Sequence, residues 1–134
     1  MEQDSRSVKL GGAIVAAFAA AMVIKFFLFD FMIAEGRSML PAIKPGTILV
    51  VSRAAYGFCP PWSNTYLLRW SLPKSGDVVV FATPLGEIAV KRCGPVTGEG
   101  LFFALGDNSL ESYDSRSYGP VPVDHIIGKV LGVR

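Results

Sequence analysis

An apolar run near the N terminus constrains this chain more than any other feature of its sequence. Residues Leu10–Ile24, LGGAIVAAFAAAMVI, carry no charge, and FFLF follows directly after Lys25. The uninterrupted run is shorter than the roughly 20 residues that a helix needs to cross a bilayer. A lysine near the end of such a run can extend its amine to the interface, so the span can continue to about Phe29. The sequence therefore predicts a cytoplasmic N terminus and a transmembrane anchor helix within residues 1–29.

The flanks of this run favour a retained anchor over a cleaved signal peptide. A cleavage site is followed by polar mature sequence, whereas MVIKFFLFDFMI stays apolar. Arg6 and Lys9 precede the run, and positive charge is enriched on the cytoplasmic side of membrane helices. The remaining residues, 30–134, are therefore predicted to form an exported domain.

The charge and cysteine content argue against several classes of function. The net charge is only +2, and it is scattered rather than arranged as a basic stripe with interleaved aromatic residues, so nucleic-acid binding is not indicated. Cys59 and Cys93 are far apart in sequence and outside any CxxC pair, which argues against a zinc site. A disulfide between them and two free thiols both remain open. We expect no metal and no cofactor.

The chain after the anchor is typical of a β-rich domain. FMIAE, TILVVSR, SGDVVVFATP, EIAVKRCG, LFFAL and IIGKVLGV are typical of strands, and Gly or Pro turns separate them. The sequence therefore predicts a mainly β domain of about 100 residues. One segment stands apart, because Tyr56–Trp70, YGFCPPWSNTYLLRW, carries five aromatic residues. These rings either rest on the lipid surface near the anchor or complete a small core.

Two residues are candidates for nucleophilic catalysis. Ser38, in EGRSMLPAIKPG, lies between a Gly-containing turn and a Pro-limited turn, which can expose its hydroxyl and direct backbone N–H groups at one point. Lys91, in EIAVKRCG, has few nearby carboxylates, so burial would lower the pKa of its amine and let it accept a proton from serine. Local sequence alone also fits an ordinary turn serine and a solvent-exposed lysine. No feature brings His125, the one histidine, near Ser38, so a Ser-His-Asp triad is not indicated.

Four segments in this order, GRSMLP, SGDVVVF, VKRCGPVTGE and GDNSLESYDSRSYGPVP, resemble the successive sequence boxes of the type I signal peptidases. These are membrane-anchored Ser-Lys proteases that cut secretory signal peptides, and the resemblance covers essentially the whole chain. It implies a small antiparallel β-sheet or partly open barrel of the signal peptidase and LexA-like type behind one transmembrane helix. It also implies a single-pass protein of the bacterial cytoplasmic membrane, with its catalytic domain outside the cytoplasm. Its expected partners are secretory preproteins and the lipid bilayer.

The resemblance implies a role for each matching residue of the catalytic machinery. It makes Ser38 the nucleophile and Lys91 the general base. It makes Ser112 the hydroxyl that hydrogen-bonds the lysine amine and orients it. The remaining matches are in the same polar segment, where Asp114 and Arg116 would brace the loop as an ion pair and the opening turn would be shaped by Gly106, Asp107 and Asn108.

The resemblance also implies the substrate-facing residues, and there the sequence departs from the usual pattern. The oxyanion hole would rest on the backbone N–H of Ser38, because Gly36 stands where some relatives carry a helpful hydroxyl. An aromatic residue is usual where this chain has Ala89, which should widen the cleft, and Arg is usual in place of Ser75. The segment between VKR and GDN is short, which implies a minimal enzyme. The cleft-lining residues implied are Ala34, Met39, Ala89 and Val90.

The function that follows is removal of N-terminal signal peptides after small residues in an Ala-X-Ala pattern. A specialised processing peptidase, such as one that matures a pilin for conjugation, is an alternative. A second alternative is a membrane-tethered β module that binds partners without catalysis. A LexA-type self-cleaving repressor is disfavoured, since a membrane segment stands where such proteins carry a DNA-binding domain.

Overall fold

The architecture comes from a computed structural model that describes residues 2–63 and 65–133, with side chains described from Val8 onward. Met1, Asn64 in the aromatic segment, Arg134 and the side chain of Arg6 lie outside the described residues. Within the described range, a long N-terminal helix is followed by a β domain, as the sequence predicts.

Helix α1 spans Glu2–Leu28 and contains the predicted anchor. Its segment Val8–Leu28 has a mean hydropathy of 2.1, and none of it is buried by the rest of the protein. These 21 residues would extend about 32 Å at the rise of an α-helix, which matches a bilayer's hydrocarbon core of about 30 Å. Lys25 lies in the last turn, where a positive charge is favourable, and its Nζ lies 5.1 Å from the centre of the Phe31 ring. The helix is thus long and apolar enough to anchor the protein in a membrane.

The β domain is built around one curled, antiparallel sheet of seven strands that forms a half-barrel. In chain order, the strands of the whole domain are β1 Phe29–Ile33, β2 Ile48–Ser52, β3 Gly57–Phe58, β4 Leu68–Arg69, β5 Val78–Ala82, β6 Ile88–Val96, β7 Leu101–Leu105, β8 Val121–Pro122 and β9 Ile126–Val130. The spatial order in the large sheet is β1-β2-β9-β5-β6-β7-β8, and β3 pairs with β4 as a separate hairpin. A one-turn helix, α2, spans Ser115–Tyr118.

The central strand β5 explains why the sheet has two hydrophobic cores. Val79 and Phe81 point into one core, and Val78 and Val80 point into the other, so that all four side chains are buried. A strand that is covered on both faces needs a continuous apolar sequence rather than an alternating one. The run VVVF therefore places β5 in the middle of the sheet, and its partner β6 carries Lys91 opposite Val79.

The sequence left open whether the aromatic residues of Tyr56–Trp70 complete a core or are exposed near the anchor. The structure shows some of them in each environment. Tyr56 is 3% exposed and belongs to the core, whereas Trp62 and Trp70 are 74% and 58% exposed. Phe58 stacks on Phe27 of α1 with ring centres 6.1 Å apart, and Trp62 meets the same ring edge-on at 5.7 Å. The segment therefore packs between the α1 helix and the β domain, with Tyr56 inside and its tryptophans outside.

Cys59 and Cys93 are both buried and free, so the structure contains two thiols rather than a disulfide between them. Burial is the main cause that raises the pKa of each thiol, to about 11 for Cys93.

Candidate active site

Ser38 lies in the connection between β1 and β2, at the start of a tight turn. Gly36, two residues earlier, has a φ of +74°, a left-handed conformation that glycine adopts without steric cost. Leu40 N donates to Arg37 O at 3.2 Å, and Ile43 N donates to Met39 O at 2.9 Å. The side chains of Met39 and Ile43 are buried in a core, whereas Ser38 is only half-buried. The turn is thus anchored by its apolar neighbours while the serine remains at the surface of a cleft.

Lys91 lies in the middle of β6, and its side chain is almost completely buried, with 6% exposed. Burial is the largest influence on its pKa and lowers it from the ordinary value of 10.5. The carboxylate of Asp114 opposes this change, and the guanidinium of Arg116 adds to it. The net result is a depressed pKa, which favours the neutral amine more than in a lysine exposed to water.

Ser38 and Lys91 line the same cleft, which has a volume of about 380 Å³. We call it the first cleft. One wall is the end of β1 with the turn that follows, and the other is the beginning of β6. The four side chains that the sequence assigns to a substrate cleft all lie in it, namely Ala34, Met39, Ala89 and Val90. Gly36 lines it as well, so residues far apart in sequence meet at one concave surface.

Asp114 is the centre of the polar loop, which we define as residues Gly106–Gly119. Its carboxylate is fully buried and accepts hydrogen bonds from Ser112 Oγ at 2.6 Å, from Gly106 N at 2.8 Å and from Arg116 N at 3.0 Å. Two guanidinium nitrogens of Arg116 also donate to it. Burial alone would raise its pKa, but the hydrogen bonds from Arg116, Ser112 and Gly106 outweigh burial and hold the pKa well below its usual range. The predicted ion pair between Asp114 and Arg116 is therefore present.

The same carboxylate starts helix α2. Asp114 has an extended backbone conformation and accepts from Arg116 N as an N-cap, and Gly119, with a φ of +85°, ends the helix. This single turn was not predicted, although Asp at its start and Gly at its end are the usual signals of helix boundaries.

The start of the polar loop holds the backbone of the Ser38 turn. Asn108 N donates to Ser38 O at 2.8 Å, and Asn108 Nδ2 donates to Arg37 O at 3.1 Å. Gly106 lies so close to both segments that a Cβ there would collide with the Ser112 side chain and stand 2.8 Å from Ser38 O. These contacts give Gly106 and Asn108 a role beyond shaping the loop's own turn, because they fix where the serine stands.

Arg92 is a site residue that the sequence reasoning missed. It directly follows Lys91, and its guanidinium donates two hydrogen bonds of 2.8 Å to the carboxylate of Asp107, besides one of 2.9 Å to Gly76 O. Asp107 was expected only to shape a turn. The sequence signal was the charge next to Lys91, but nothing in the sequence indicated its partner.

Two expected hydrogen bonds to the amine of Lys91 are not formed among the described residues. Within residues 2–63 and 65–133, neither Ser38 nor Ser112 makes a hydrogen bond to the amine of Lys91. Ser112 Oγ donates a hydrogen bond of 2.6 Å to Asp114 instead, since a buried carboxylate is the stronger acceptor. Catalytic hydrogen bonds are often long in a free enzyme and tighten in the substrate complex. In this structure Ser112 contacts Asp114, and the carboxylate of Asp114 is a charged group that influences the pKa of Lys91, though less than burial does.

Comparisons with known proteins identify the family of this chain. The profile of a family described as signal peptidase, peptidase S26, matches residues 7–101 and 95–133. A signal peptidase I of Bacillus caldolyticus is 27% identical over 85% of this chain and 84% of its own. A signal peptidase I of Haemophilus influenzae is 31% identical over 96% of this chain but only 36% of its own. A relative from Arabidopsis thaliana, named mitochondrial ATP-independent inner membrane protease subunit 1b, is 28% identical over 95% of this chain and 83% of its own.

Proposed function

This chain belongs to the signal peptidase family, peptidase S26, and from that premise we propose that it removes signal peptides from secreted preproteins with a Ser-Lys dyad. Ser38 is the nucleophile and Lys91 is the general base. The observation that carries the proposal is that Ser38 and the buried, pKa-lowered Lys91 line one cleft. A base must be near the hydroxyl and neutral at working pH, and these two findings support both conditions.

The reaction proceeds in two steps. In the first, the neutral amine of Lys91 takes the proton of Ser38 Oγ as the oxygen attacks the scissile carbonyl. The resulting ammonium then gives that proton to the leaving amine, which departs as the N terminus of the mature protein. In the second, Lys91 takes a proton from water, the hydroxide attacks the acyl-serine ester, and the signal peptide leaves with a free carboxylate. The Lys91 ammonium gives its proton to Ser38 Oγ as the ester C–O bond breaks, and the proton of the new carboxylic acid passes to solvent, so the enzyme returns to its starting protonation.

The negative oxygen of each tetrahedral intermediate needs hydrogen-bond donors. The backbone N–H of Ser38 is the candidate donor to this oxygen. Gly36, two residues earlier, leaves space for the substrate carbonyl and has no hydroxyl to act as a second donor. Removal of a single oxyanion-hole donor typically lowers kcat by a factor of about 10²–10³. Because Asn108 holds Ser38 O and Arg37 O, the peptide units on either side of the serine are fixed before substrate arrives.

Substrate binding follows from the walls of the first cleft. Among the described strands, β1 is at the edge of the sheet, so an extended segment can add to it through backbone hydrogen bonds. The cleft's side chains from Ala34, Met39 and Ala89 leave room for small residues before the cut. These features support selection of an Ala-X-Ala pattern.

The anchor supports a location at the bacterial cytoplasmic membrane with the β domain outside the cytoplasm. Residues Val8–Leu28 would span the bilayer, and Lys9 lies at their N-terminal end, as expected for a cytoplasmic N terminus. The contacts of Phe27 with Phe58 and Trp62 hold the domain close to the outer end of the helix. The cleft would then lie near the surface where signal peptides leave the bilayer.

The test is cleavage of a purified preprotein in detergent by the wild type, Ser38→Ala and Lys91→Met. Both substitutions should abolish cleavage, because one removes the nucleophile and the other replaces the base with an apolar side chain of similar length. Ser109→Ala and Lys74→Met change the same residue types at exposed positions and should keep full activity. Normal turnover by either dyad variant would refute the assignment.

A specialised processing peptidase is the second candidate function. The Arabidopsis relative, which aligns with 95% of this chain, is named as a mitochondrial inner membrane protease rather than as a signal peptidase. The relatives of this chain thus include a peptidase that is named for a mitochondrial membrane and not for signal peptides. A panel of unrelated preproteins distinguishes the two candidates, because a general signal peptidase cuts most of them and a specialised enzyme cuts one.

A further inference from the structure

A second cleft, of about 330 Å³, adjoins the first at the Ser38–Lys91 pair. Ser38, Lys91, Gly36 and Ala89 line both clefts, but the other walls are formed by different elements. The first cleft continues along β1 and the start of β6. The second continues along the turn between β5 and β6 and along the end of the polar loop. The reactive pair therefore stands at the junction of two binding surfaces.

The walls of the second cleft are apolar and open to solvent. Leu85 is 75% exposed and Tyr113 is 64% exposed, and both line the cleft together with Pro84 and Tyr118. A backbone hydrogen bond of 2.7 Å from Thr83 N to Glu87 O closes the turn that carries Leu85. The two tyrosine rings meet edge-on with centres 5.3 Å apart. Exposed apolar side chains that are gathered in a concavity mark a binding surface.

Tyr118 contributes a polar atom that lacks a partner. Among the residues that the structure describes, its Oη is buried and makes no hydrogen bond. Burial, which acts together with the charge of Asp114, raises the pKa of Tyr118 to about 12, so the hydroxyl keeps its proton. Buried polar groups in native proteins nearly always have a partner. Because its Oη is buried, Tyr118 contributes ring surface, and not an accessible hydroxyl, to the second cleft.

We propose that the second cleft binds the first residues after the cut, the start of the mature protein, and selects an apolar side chain there. This inference rests on the proposed function. Hydrolysis of an extended peptide needs a binding surface on each side of the scissile carbonyl. The first cleft, with its strand edge and small residues, takes the signal-peptide side. The second cleft is left for the departing segment.

Charged side chains that line the second cleft affect which residues it can bind. Arg37 and Glu111 form an exposed ion pair at 3.6 Å, and Glu87 adds a further carboxylate, so these three side chains sum to a charge of −1. An acidic residue at the first positions of the mature protein would be repelled. The expected occupant is therefore an apolar residue such as leucine, and precursors with aspartate or glutamate there should be cut slowly.

The experiment uses full-length enzyme in detergent and two preproteins that are identical except for the first two residues after the cut. One carries Leu-Leu at these positions and the other carries Gly-Gly. The readout is the ratio of their kcat/KM values. We expect the wild type to prefer Leu-Leu, and we expect Leu85→Ala to lower the ratio roughly three- to tenfold, because a few buried methyl groups are lost. Leu110→Ala is the matched control, since Leu110 is 95% exposed, on the polar loop and not part of either cleft.

A second measurement is independent of turnover. A photo-crosslinking residue at position 85 in the Ser38→Ala background should form crosslinks with bound preprotein at the first residues after the cut site, mapped by mass spectrometry. Crosslinks that map only before the cut, or a selectivity ratio unchanged by Leu85→Ala, would overturn the inference while the peptidase activity stands. Failure of the wild type to cut any preprotein would instead overturn the proposed function, and this inference with it.

Discussion

Arg92 and Asp107 are joined by two parallel hydrogen bonds of 2.8 Å, one from Nε and one from a terminal guanidinium nitrogen. Arg92 follows Lys91 on β6, and Asp107 stands at the start of the polar loop. The two side chains are 26% and 18% exposed, so this ion pair is mostly shielded from water. Paired, two-point contacts of this kind fix geometry as well as charge. The pair therefore sets the position of the strand that carries the amine relative to the loop beside it.

Asp107→Asn should lower kcat about tenfold or more while KM changes little. The amide leaves one of the two bonds unmade, so the loop and β6 can shift relative to each other, and a displacement of 1 Å at a reacting group can cost about 10²-fold. Steady-state kinetics on a preprotein measures this. Asp124→Asn is the control, because Asp124 pairs with Arg69 at 2.9 Å but is 79% exposed. Equal losses in both variants would contradict a positioning role for Asp107.

Gly106→Ala should reduce kcat/KM about 10²-fold without unfolding the protein. The added methyl group would collide with the Ser112 side chain and press against Ser38 O, so both the serine and the loop must move. Gly98→Ala tests the same substitution at a turn position where a Cβ meets nothing within 4 Å. Activity assays and thermal melts of the two variants measure the effect. Full activity in Gly106→Ala would show that the close approach does not position the serine.

The longer strands could be predicted because each one's own residues carry the apolar pattern of a strand. VVVF and LFFAL read as buried strands from their own residues, and the structure contains β5 and β7 at those positions. The anchor helix was predictable for the same reason. Short elements such as β3, β4 and β8 were not, because two-residue strands are defined by their partners across the sheet rather than by their own sequence.

Contacts within the candidate site could be predicted only where the resemblance to type I signal peptidases implied them. The pairing of Asp114 with Arg116 followed from the family pattern, and the two residues are near neighbours in sequence. The pairing of Arg92 with Asp107 joins β6 to the loop that follows β7, and the contact of Asn108 with the Ser38 turn joins residues 70 positions apart. Such contacts depend on how the sheet curls, which local sequence does not encode. Within the described part of the chain, Ser112 bonds to Asp114 and not to Lys91 because the two compete for its hydroxyl, and the outcome depends on their positions in the fold.

The rate of cleavage should rise with pH along a limb whose midpoint lies below 10.5, the ordinary pKa of lysine. A protonated amine cannot accept the serine proton, so activity is lost as the pH falls through the lowered pKa of Lys91. Arg116→Gln removes a nearby positive charge that favours the neutral amine, so the limb should move to higher pH. Profiles of kcat/KM against pH measure the shift, with Arg69→Gln as the control for a remote arginine. A limb that stays in place in Arg116→Gln would contradict the electrostatic coupling.

Asp114→Asn should destabilise the protein by about 1–3 kcal/mol at neutral pH, because the buried carboxylate loses charge-assisted hydrogen bonds from Ser112 and Gly106. The folded pKa of Asp114 is depressed, so its stabilising effect is full above the pKa of about 4 in the unfolded chain and declines as the pH falls below it. The difference in unfolding free energy between wild type and variant should therefore decrease from pH 7 to pH 3. Thermal melts in detergent at both pH values measure it, and a gap that widens in acid would contradict this account.

The fluorescence of Trp62 and Trp70 should be quenched by lipids that carry bromine on their acyl chains. These are the only two tryptophans of the chain, so its tryptophan emission reports the aromatic segment alone. Both side chains are largely exposed, and Trp62 contacts Phe27, one residue before the end of the apolar helix. Tryptophan prefers the interface between lipid and water, and with Val8–Leu28 in a bilayer this contact would place Trp62 at that depth.

The single variants Trp62→Phe and Trp70→Phe leave one reporter each in full-length protein reconstituted into vesicles. We expect bromine on the upper part of the acyl chain to quench Trp62 more strongly than bromine near its end. Acrylamide, a water-soluble quencher, should reach it less well in vesicles than in urea-unfolded protein. Strong quenching by acrylamide with none by brominated lipid would place the segment in water. The aromatic side chains would then connect helix and domain without touching the membrane.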